Sequence, residues 1–586
     1  MNSPIVGIDL GTTNSVVSIL DDKKPKTLLI DNDKLLPSVV SITSDGVLVG
    51  KVARNLAILE PENTIASIKR KMGEDVSITI GEKQMRPEEI SSLILQKIRQ
   101  TVIEHYQLTS DAVVRAVITV PAYFTEEQRA ATKQAGELAN LQVERIINEP
   151  TAAALAYGMA NLDEAIFAVY DLGGGTFDIS IIESDAGLVE VRSSTGDNHL
   201  GGDDFDDLLG QKIWKDFLSA NELASDLQAS NKEIARLKRI AEQTKINLSS
   251  ETEVTIQESF FFQKEDINYH LEQVVSRSDF EALIEEHISK TVELLNKAVM
   301  DADLTRSDLD GIILVGGSSR IPLVSQLIEE KLKIKPVLIT LPDEAVSHGA
   351  TVQGAIIDKK DIDTVLVDIT PHSLGTGVLD AQSYMSPKLL DWLKQKEAGE
   401  VPEDEEAPMN LGATVIIPKN SPVPVRRSMM FYSVVDFQTE YEVQVYQGEG
   451  ARLEDNKIIG DSLLEVADPP ETGEVKVTFE LDINGLLNVT ALEINTNEKL
   501  EVTFQSSMGQ KAATGAVEGI AVLSDQTTEN TLLKRADALL AMDIDVADKE
   551  DLVELLNNYE AAKDVPERLS ELEEELLNLL YYLEKE

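Results

Sequence analysis

The sequence predicts a multidomain chain in which an α/β region of two related lobes is followed by an antiparallel β domain and a short α-helical tail. Three observations carry that reading. A glycine turn led by an aspartate occurs twice, as Asp9-Leu10-Gly11-Thr12-Thr13-Asn14 and as Asp171-Leu172-Gly173-Gly174-Gly175-Thr176, each time between two apolar strands. Strand and amphipathic-helix patterns alternate to about residue 360, then yield to period-two alternation from Pro371 to Gln505. Beyond Asp525, apolar residues return to steps of three and four.

Taken in order, Pro4 to Leu10 and Ser15 to Leu20 read as strands around the first turn, and Pro87 to His105 as the first long helix. Ala165 to Leu172 and Phe177 to Glu183 flank the second turn, and Asn231 to Asn247 and Arg277 to Ala302 are further helices. Glycines let backbone N–H groups approach an anion with no Cβ in the way, and the neighbouring threonine hydroxyls add donors. An aspartate at the same place in each turn suits Mg²⁺ held through water, because that ion keeps much of its hydration shell. One such turn alone is an ordinary tight hairpin. Two in the same context point to an ATP site between two lobes. A third turn, Gly316-Gly317-Ser318-Ser319-Arg320, ends the apolar run Ile312 to Val315 and opens a helix, offering backbone donors and a planar guanidinium that can stack on a base. The patterns G-x-x-x-x-G-K-[ST] and G-x-G-x-x-G are both absent, so the site must have another architecture.

Thr364 to Pro371 is a short apolar run set among acidic residues, read as an interdomain linker that is buried in some states or else as a plain edge strand. In the β region Tyr441, Val443 and Val445 share a face, and Asn484-Gly485 is the dipeptide of a tight type I′ hairpin. Leu569, Leu572, Leu576, Leu579 and Leu583 give the last helix an apolar stripe suited to the core of a small bundle.

The chain has 586 residues, a formal net charge of −50, a pI near 4.4 and no cysteine. That length calls for several cores. The acidity argues against partners that need basic patches, so neither nucleic acid nor a membrane is expected. Without cysteine there is no disulfide, thiolate metal site or cysteine nucleophile. The N-terminus has no basic and apolar leader pattern and no apolar run reaches about 20 residues, so a cytoplasmic location is expected.

The three turns, with Val117 to Phe124, Asn148 to Gly158 and His199 to Asp206, resemble the seventy-kilodalton heat-shock chaperones of the DnaK type almost end to end. The resemblance implies an actin-like ATPase domain over 1–362, a linker over 363–370, a β-sandwich holding peptide over 371–507 and a helical lid over 525–586. It implies an ATP-dependent chaperone using ATP/ADP and Mg²⁺, with client polypeptides, a J-domain co-chaperone and a nucleotide-exchange factor as partners. By the same resemblance, Lys69 is the catalytic lysine, Asp9 and Asp171 are the Mg²⁺-side carboxylates, and Glu149 and Thr176 complete the hydrolysis site. Gly11, Thr12, Thr13, Asn14, Gly173, Gly174, Gly175, Gly201, Gly202 and Asp203 belong to the nucleotide-binding turns. Glu242, Lys245 and Ser249 form an adenosine clamp closed by Gly316, Gly317, Ser318, Arg320 and Asp343. Pro121 and Arg129 match a pair that relays the nucleotide state toward the linker, and Leu379, Phe431, Val434, Tyr441 and Val443 match the peptide groove.

Departures from the pattern point to a short-lid, specialised bacterial member: a short stretch between Met72 and Ile90, Thr376 and Tyr441 at altered groove positions, and a tail with breaks near Asp543 and Pro566. The connection from Leu379 to Leu411 is long, and Ser386-Pro387 followed by Leu389, Leu390, Trp392 and Leu393 predicts an added helix lying over the groove. A small-molecule kinase and a filament-forming ATPase on the same scaffold are the alternatives, though neither has a use for residues 364–505.

Overall fold

Two copies of one strand arrangement build the first 360 residues of the computed structural model, which describes residues 5–44, 46–158, 165–185, 187–264, 267–338, 341–360, 365–379, 411–504, 525–542, 544, 546–562 and 566–583. In the first lobe β1 (Ile5–Asp9), β2 (Asn14–Asp21) and β3 (Lys24–Thr27) form an antiparallel meander. A side layer follows, made of β4 (Val39–Thr43), β5 (Gly46–Val49), α1 (Lys51–Leu56) and β6 (Thr64–Ala66). After α2 (Pro87–Tyr106), β7 (Val114–Val120) pairs in parallel with β1, and beyond α3 (Glu126–Leu138) β8 (Leu141–Asn148) pairs in parallel with β7. Glu149 then opens α4 (Glu149–Gly158) without a break.

The second lobe repeats this. β9 (Ala165–Leu172), β10 (Phe177–Asp185) and β11 (Leu188–Asp197) are an antiparallel meander. Past α5 (Gly202–Ala220), α6 (Asn231–Leu248), the β12 (Glu253–Lys264) and β13 (Ile267–Ser276) ribbon and α7 (Arg277–Asp301), β14 (Gly311–Val315) pairs in parallel with β9. α8 (Pro322–Leu332) leads to β15 (Val337–Leu338), parallel to β14, and then to α9 (Ala345–Ile357). Each lobe thus has a meander whose first strand starts a parallel extension, which is the duplication the paired turns predicted. Caps fix the helix starts: the Glu233 carboxylate accepts the Ser230 N–H (2.8 Å) at α6, and Ser276 Oγ accepts the Asp279 N–H (3.1 Å) at α7. Each lobe has its own apolar core. A third cluster, with Ile5, Val117, Ala152, Val169, Val315 and Ala350, lies where the lobes meet. There α4 and α9 cross so closely that a Cβ on Gly349 would fall 1.6 Å from the Ala152 carbonyl oxygen.

The expected linker is a strand, β16 (Val365–Ile369), parallel to β11 on one side and antiparallel to β19 of the β region on the other. The run is a strand paired through Val365–Val367 on one side and Asp368–Ile369 on the other, rather than a plain edge strand, and Asp368 and Ile369 are buried in it. β17 (Leu374–Leu379), β18 (Leu411–Ile417), β19 (Pro422–Val423), β20 (Val425–Tyr432), β21 (Glu440–Gln447), β22 (Lys457–Glu465), β23 (Glu474–Leu481), β24 (Leu487–Glu493) and β25 (Lys499–Phe504) follow. They form two sheets, ordered β18-β17-β21-β22 and β20-β23-β24-β25, closed over one core. The helix predicted from Ser386 lies outside the described residues.

One local expectation fails. Leu481 pairs with Leu487, so the loop at Asn484-Gly485 has five residues rather than the two of a type I′ turn, and only Gly485 is left-handed (φ 79°). The Asp482 carboxylate takes the N–H groups of Asn484 and Leu486 (both 2.8 Å) and sets this wider shape. The loop tip docks on the first lobe, where Asn484 Oδ1 accepts the Ile146 N–H (3.2 Å).

The tail forms α10 (Asp525–Leu540), α11 (Val546–Ala561) and α12 (Pro566–Leu583). Its leucine stripe is core, as predicted, but the core is shared: Leu532, Leu539, Leu576 and Leu580 pack with Leu48, Leu56, Ile58 and Leu59 of the first lobe. No helix among the described residues is long and apolar enough to cross a membrane.

Candidate functional site

The two predicted turns are brought together at the floor of the cleft between the lobes. A Cβ on Gly174 would fall 1.8 Å from Thr13 Oγ1, so the tips touch and only glycine fits. The third turn closes on the second: the Ser318 hydroxyl donates to the Gly173 carbonyl (2.9 Å). Gly316 is left-handed (φ 80°), and a Cβ there would lie 2.4 Å from the Leu172 carbonyl oxygen. A cavity of about 420 Å³ opens above them, within the range of nucleotide-sized sites.

Gly11, Thr12, Thr13, Asn14, Gly173, Gly174 and Thr176 line its floor, and Asp9, Lys69, Glu149 and Asp171 its inner end. Glu242 and Lys245 on α6, with Ser249 at its C-terminal cap, face Gly316, Gly317, Ser318, Arg320 and Asp343 at the outer end. Gly175, Gly201, Gly202 and Asp203 are not among the lining residues; they stand one layer behind, where the Gly202 N–H donates to the Gly173 carbonyl (3.0 Å) and the Asp203 N–H to the Gly174 carbonyl (2.7 Å). Lys245 is held by Asp206 (2.6 Å) and the Gly202 carbonyl (3.1 Å), while Arg320 pairs with Asp343.

Carboxylates outnumber ammonium groups at the inner end. Lys69, 4% exposed, is paired with Glu149 and lies 5.8 Å from the Phe124 ring centroid. Burial first, and Glu149 next, lifts the Asp9 carboxyl to about 7. The same two causes push Asp171 well above its ordinary range and Asp178 to about 7. One ammonium cannot neutralise four buried carboxylates, so the donor set fits an additional cation. Among the described residues no three His, Asp or Glu side chains converge tightly enough to ligate a metal directly.

Asp178, inside the strand read from Phe177 to Glu183, was given no role by the sequence; its carboxylate accepts the Tyr123 N–H (3.0 Å). Asn148 was missed in the same way. Its amide donates to both oxygens of Asp368 in β16 (3.0 and 3.1 Å) and accepts from Arg129 (2.6 Å), whose guanidinium also reaches the Ala122 carbonyl (3.1 Å). Pro121, at the end of β7, and Arg129 thus stand where the first lobe meets β16 and the β region. Asn148 and Glu149 are consecutive, so one residue faces the linker strand and the next faces Lys69.

The expected groove positions are all in the β region. Tyr441 and Val443 are inside the sandwich core, Phe431 packs against it, Val434 is exposed, and Leu379 pairs with Leu411 at the ends of β17 and β18. Over residues 5–385 and 408–578 the chain matches a family model described as "Hsp70 protein".

Proposed function

The chain belongs to the Hsp70 family, whose members are ATPases and ATP-dependent chaperones, and we propose that it turns over ATP in the cleft between its lobes to control capture and release of client polypeptides by its β-sandwich. The domain limits given above, 1–362, 363–370, 371–507 and 525–586, are part of this reading. ATP supplies the phosphoryl group and its Mg²⁺ the charge that the acidic inner end calls for. Lys69 keeps an ammonium beside the reacting phosphate, and Glu149 holds that ammonium in place. Thr12 and Thr176 offer hydroxyl donors from the floor, whereas the Thr13 hydroxyl already donates to Asp203 (3.3 Å). Glu242, Ser249, Gly317 and Arg320 bracket the adenosine end.

The observation that carries the coupling is the strand β16, which joins the β11 edge of the second lobe to β19 of the sandwich while its Asp368 is held by the residue next to Glu149. On this reading ATP favours the docked arrangement and hydrolysis releases β16, shifting the population between two states. Peptide access near Tyr441 and Val443 requires the sandwich to rearrange, since both are buried in the docked arrangement. A J-domain co-chaperone and an exchange factor are the partners this cycle takes.

The test is Lys69→Ala. Single-turnover hydrolysis should be lost while ATP binds within about tenfold of wild type, because the ammonium acts chiefly on the transition state. Hydrolysis near the wild-type rate would refute the assignment.

A further inference from the structure

Lys69 sits on a single 3-10 turn, Ile68–Lys71, and such a short element does not hold a lysine still by itself. Its neighbours on both sides cross the cleft. Ser67, in the left-handed region (φ 54°), donates its hydroxyl to Asp203 Oδ2 (2.5 Å), and the Arg70 guanidinium meets both oxygens of Asp204 (2.9 and 3.1 Å) and the His199 carbonyl (2.9 Å). Asp203 also takes the Thr13 hydroxyl from the first phosphate turn. Both aspartates are in the first turn of α5, which is stitched to the second phosphate turn through Gly202 and Asp203 N–H groups, and Asp204 Oδ2 also accepts the Gly201 N–H (2.8 Å).

Thr13 and the Lys69 turn therefore converge on two consecutive carboxylates, whose backbone is in turn tied to Gly173 and Gly174 through the Gly202 and Asp203 N–H groups. We propose that Asp203 and Asp204 form a clasp across the cleft that positions Lys69, with Ser67 and Arg70 as its partners, so that the lysine is in register for hydrolysis only when the lobes are closed on each other. This rests on the reading of Lys69 given above and deepens it. Asp203 is on this account a positioning residue rather than a nucleotide contact, consistent with its place behind the cavity wall. A left-handed serine is a sparsely populated conformation for a side chain with a Cβ, and the Asp203 bond is what offsets it. Arg70 and Asp204 are only partly covered, at 21% and 27% side-chain exposure, so their pairing matters for geometry more than for fold stability.

The test uses the full chain with Asp204→Asn, which keeps an acceptor for the Gly201 N–H but removes the charge, with Arg70→Ala, and with both together. Each single variant should slow single-turnover hydrolysis by about ten- to a hundredfold with ATP Kd within about threefold of wild type. The double variant should be no slower than the worse single one, and Arg70→Lys should recover most of the rate. Wild-type rates in both single variants, losses that multiply in the double, or a loss confined to Kd would overturn the clasp. Ser67→Ala removes one hydroxyl only and keeps the test open should Asp204→Asn not fold; it too should slow hydrolysis without weakening binding. Lys69→Ala run alongside separates the two ideas: if it abolishes hydrolysis while the clasp variants are unaffected, the clasp fails and the lysine assignment stands.

Discussion

Asn148→Ala should loosen β16 without touching the cavity. Asn148 supplies the side-chain amide that caps the Asp368 carboxylate (3.0 and 3.1 Å) and is itself held by Arg129 (2.6 Å); without it, Asp368 keeps the Ile369 N–H (2.9 Å). A hydrogen bond to a charged group contributes about 1.5–3 kcal/mol, and two such bonds are lost, one of which Arg129 can partly replace by turning to Asp368. The net cost of about 1.5–3 kcal/mol corresponds to roughly ten- to a hundredfold more opening. Hydrogen exchange of the amides of residues 365–369, measured with a non-hydrolysable ATP analogue, reports that opening directly. Protection should fall by that factor, and Asn148→Asp, which sets a second carboxylate against Asp368, should lose more. Protection in Asn148→Ala within about threefold of wild type, or Asn148→Asp no worse than Ala, would refute the idea that this contact holds the linker strand.

Docking should also depend on pH. Glu126, buried beside the loop at Gly485 and raised to about 8 chiefly by that burial, favours docking fully below its ordinary 4.5 and loses this as pH rises through about 8. His372, lowered to about 4 chiefly by burial against Tyr123, favours docking above its ordinary 6.5 and loses this as pH falls through about 4. Protection of residues 365–369 should therefore peak between those limits, and Glu126→Gln should flatten the alkaline side; an unchanged alkaline limb would exclude Glu126. Gly316→Ala should weaken ATP binding at least about tenfold, because a left-handed alanine is strained and its Cβ would press on the Leu172 carbonyl oxygen and the Asp171 carboxylate, 2.4 and 2.6 Å away; wild-type affinity by calorimetry would contradict this. Raising salt from low to moderate ionic strength should strengthen docking, since the net charge of −50 makes mutual repulsion of acidic domains the larger screened term; protection that falls with salt would show that the ion pairs dominate.

The fold was legible wherever a feature was local and repeated. The paired turns at Gly11 and Gly173 announced the two lobes because each needs the same strand, aspartate and glycine in a short window, and the α6 and α7 helices announced themselves by their apolar spacing. What the pattern could not carry were pairings set by distance in space. Asn148 reads as an ordinary strand end, yet its partner is 220 residues away. Ser67 and Arg70 carry no signal of their own beside Lys69, and Asp203, read from the sequence as a nucleotide-binding residue, bonds Ser67 136 residues away while Asp204 bonds Arg70 134 residues away. The Asn484-Gly485 dipeptide misled because docking of the loop on Ile146, together with Asp482, favours a wider turn than the dipeptide prefers. Tyr441 and Val443 share a strand face, as their alternation indicates, and that face is buried in the sandwich core.

The strengths of the contacts between domains are unequal, and that inequality bears on how a nucleotide could act. The tail is held to the first lobe by leucines of 7% exposure or less at Leu532, Leu539, Leu576 and Leu580 and by the Arg535–Glu60 and Lys51–Glu573 pairs. Burying one such leucine is worth about 1.5–3 kcal/mol, so this contact is firm. The sandwich, by contrast, meets the lobes through a five-residue strand, the Asn148–Asp368 contact, the Asn484–Ile146 hydrogen bond, His372 against Tyr123, and two partly exposed ion pairs, Lys457–Glu127 and Lys419–Asp301. Pairs of that kind contribute about 0–1 kcal/mol each. Val365 is 61% exposed and Leu366 and Val367 are half-buried, so the apolar burial of the strand is concentrated at Ile369. A contact of only a few kcal/mol is one that a ligand with modest preference between two states can shift, whereas the tail contact is beyond such a ligand. On the proposed reading, then, the nucleotide acts on β16 and the sandwich, while the tail moves as part of the first lobe.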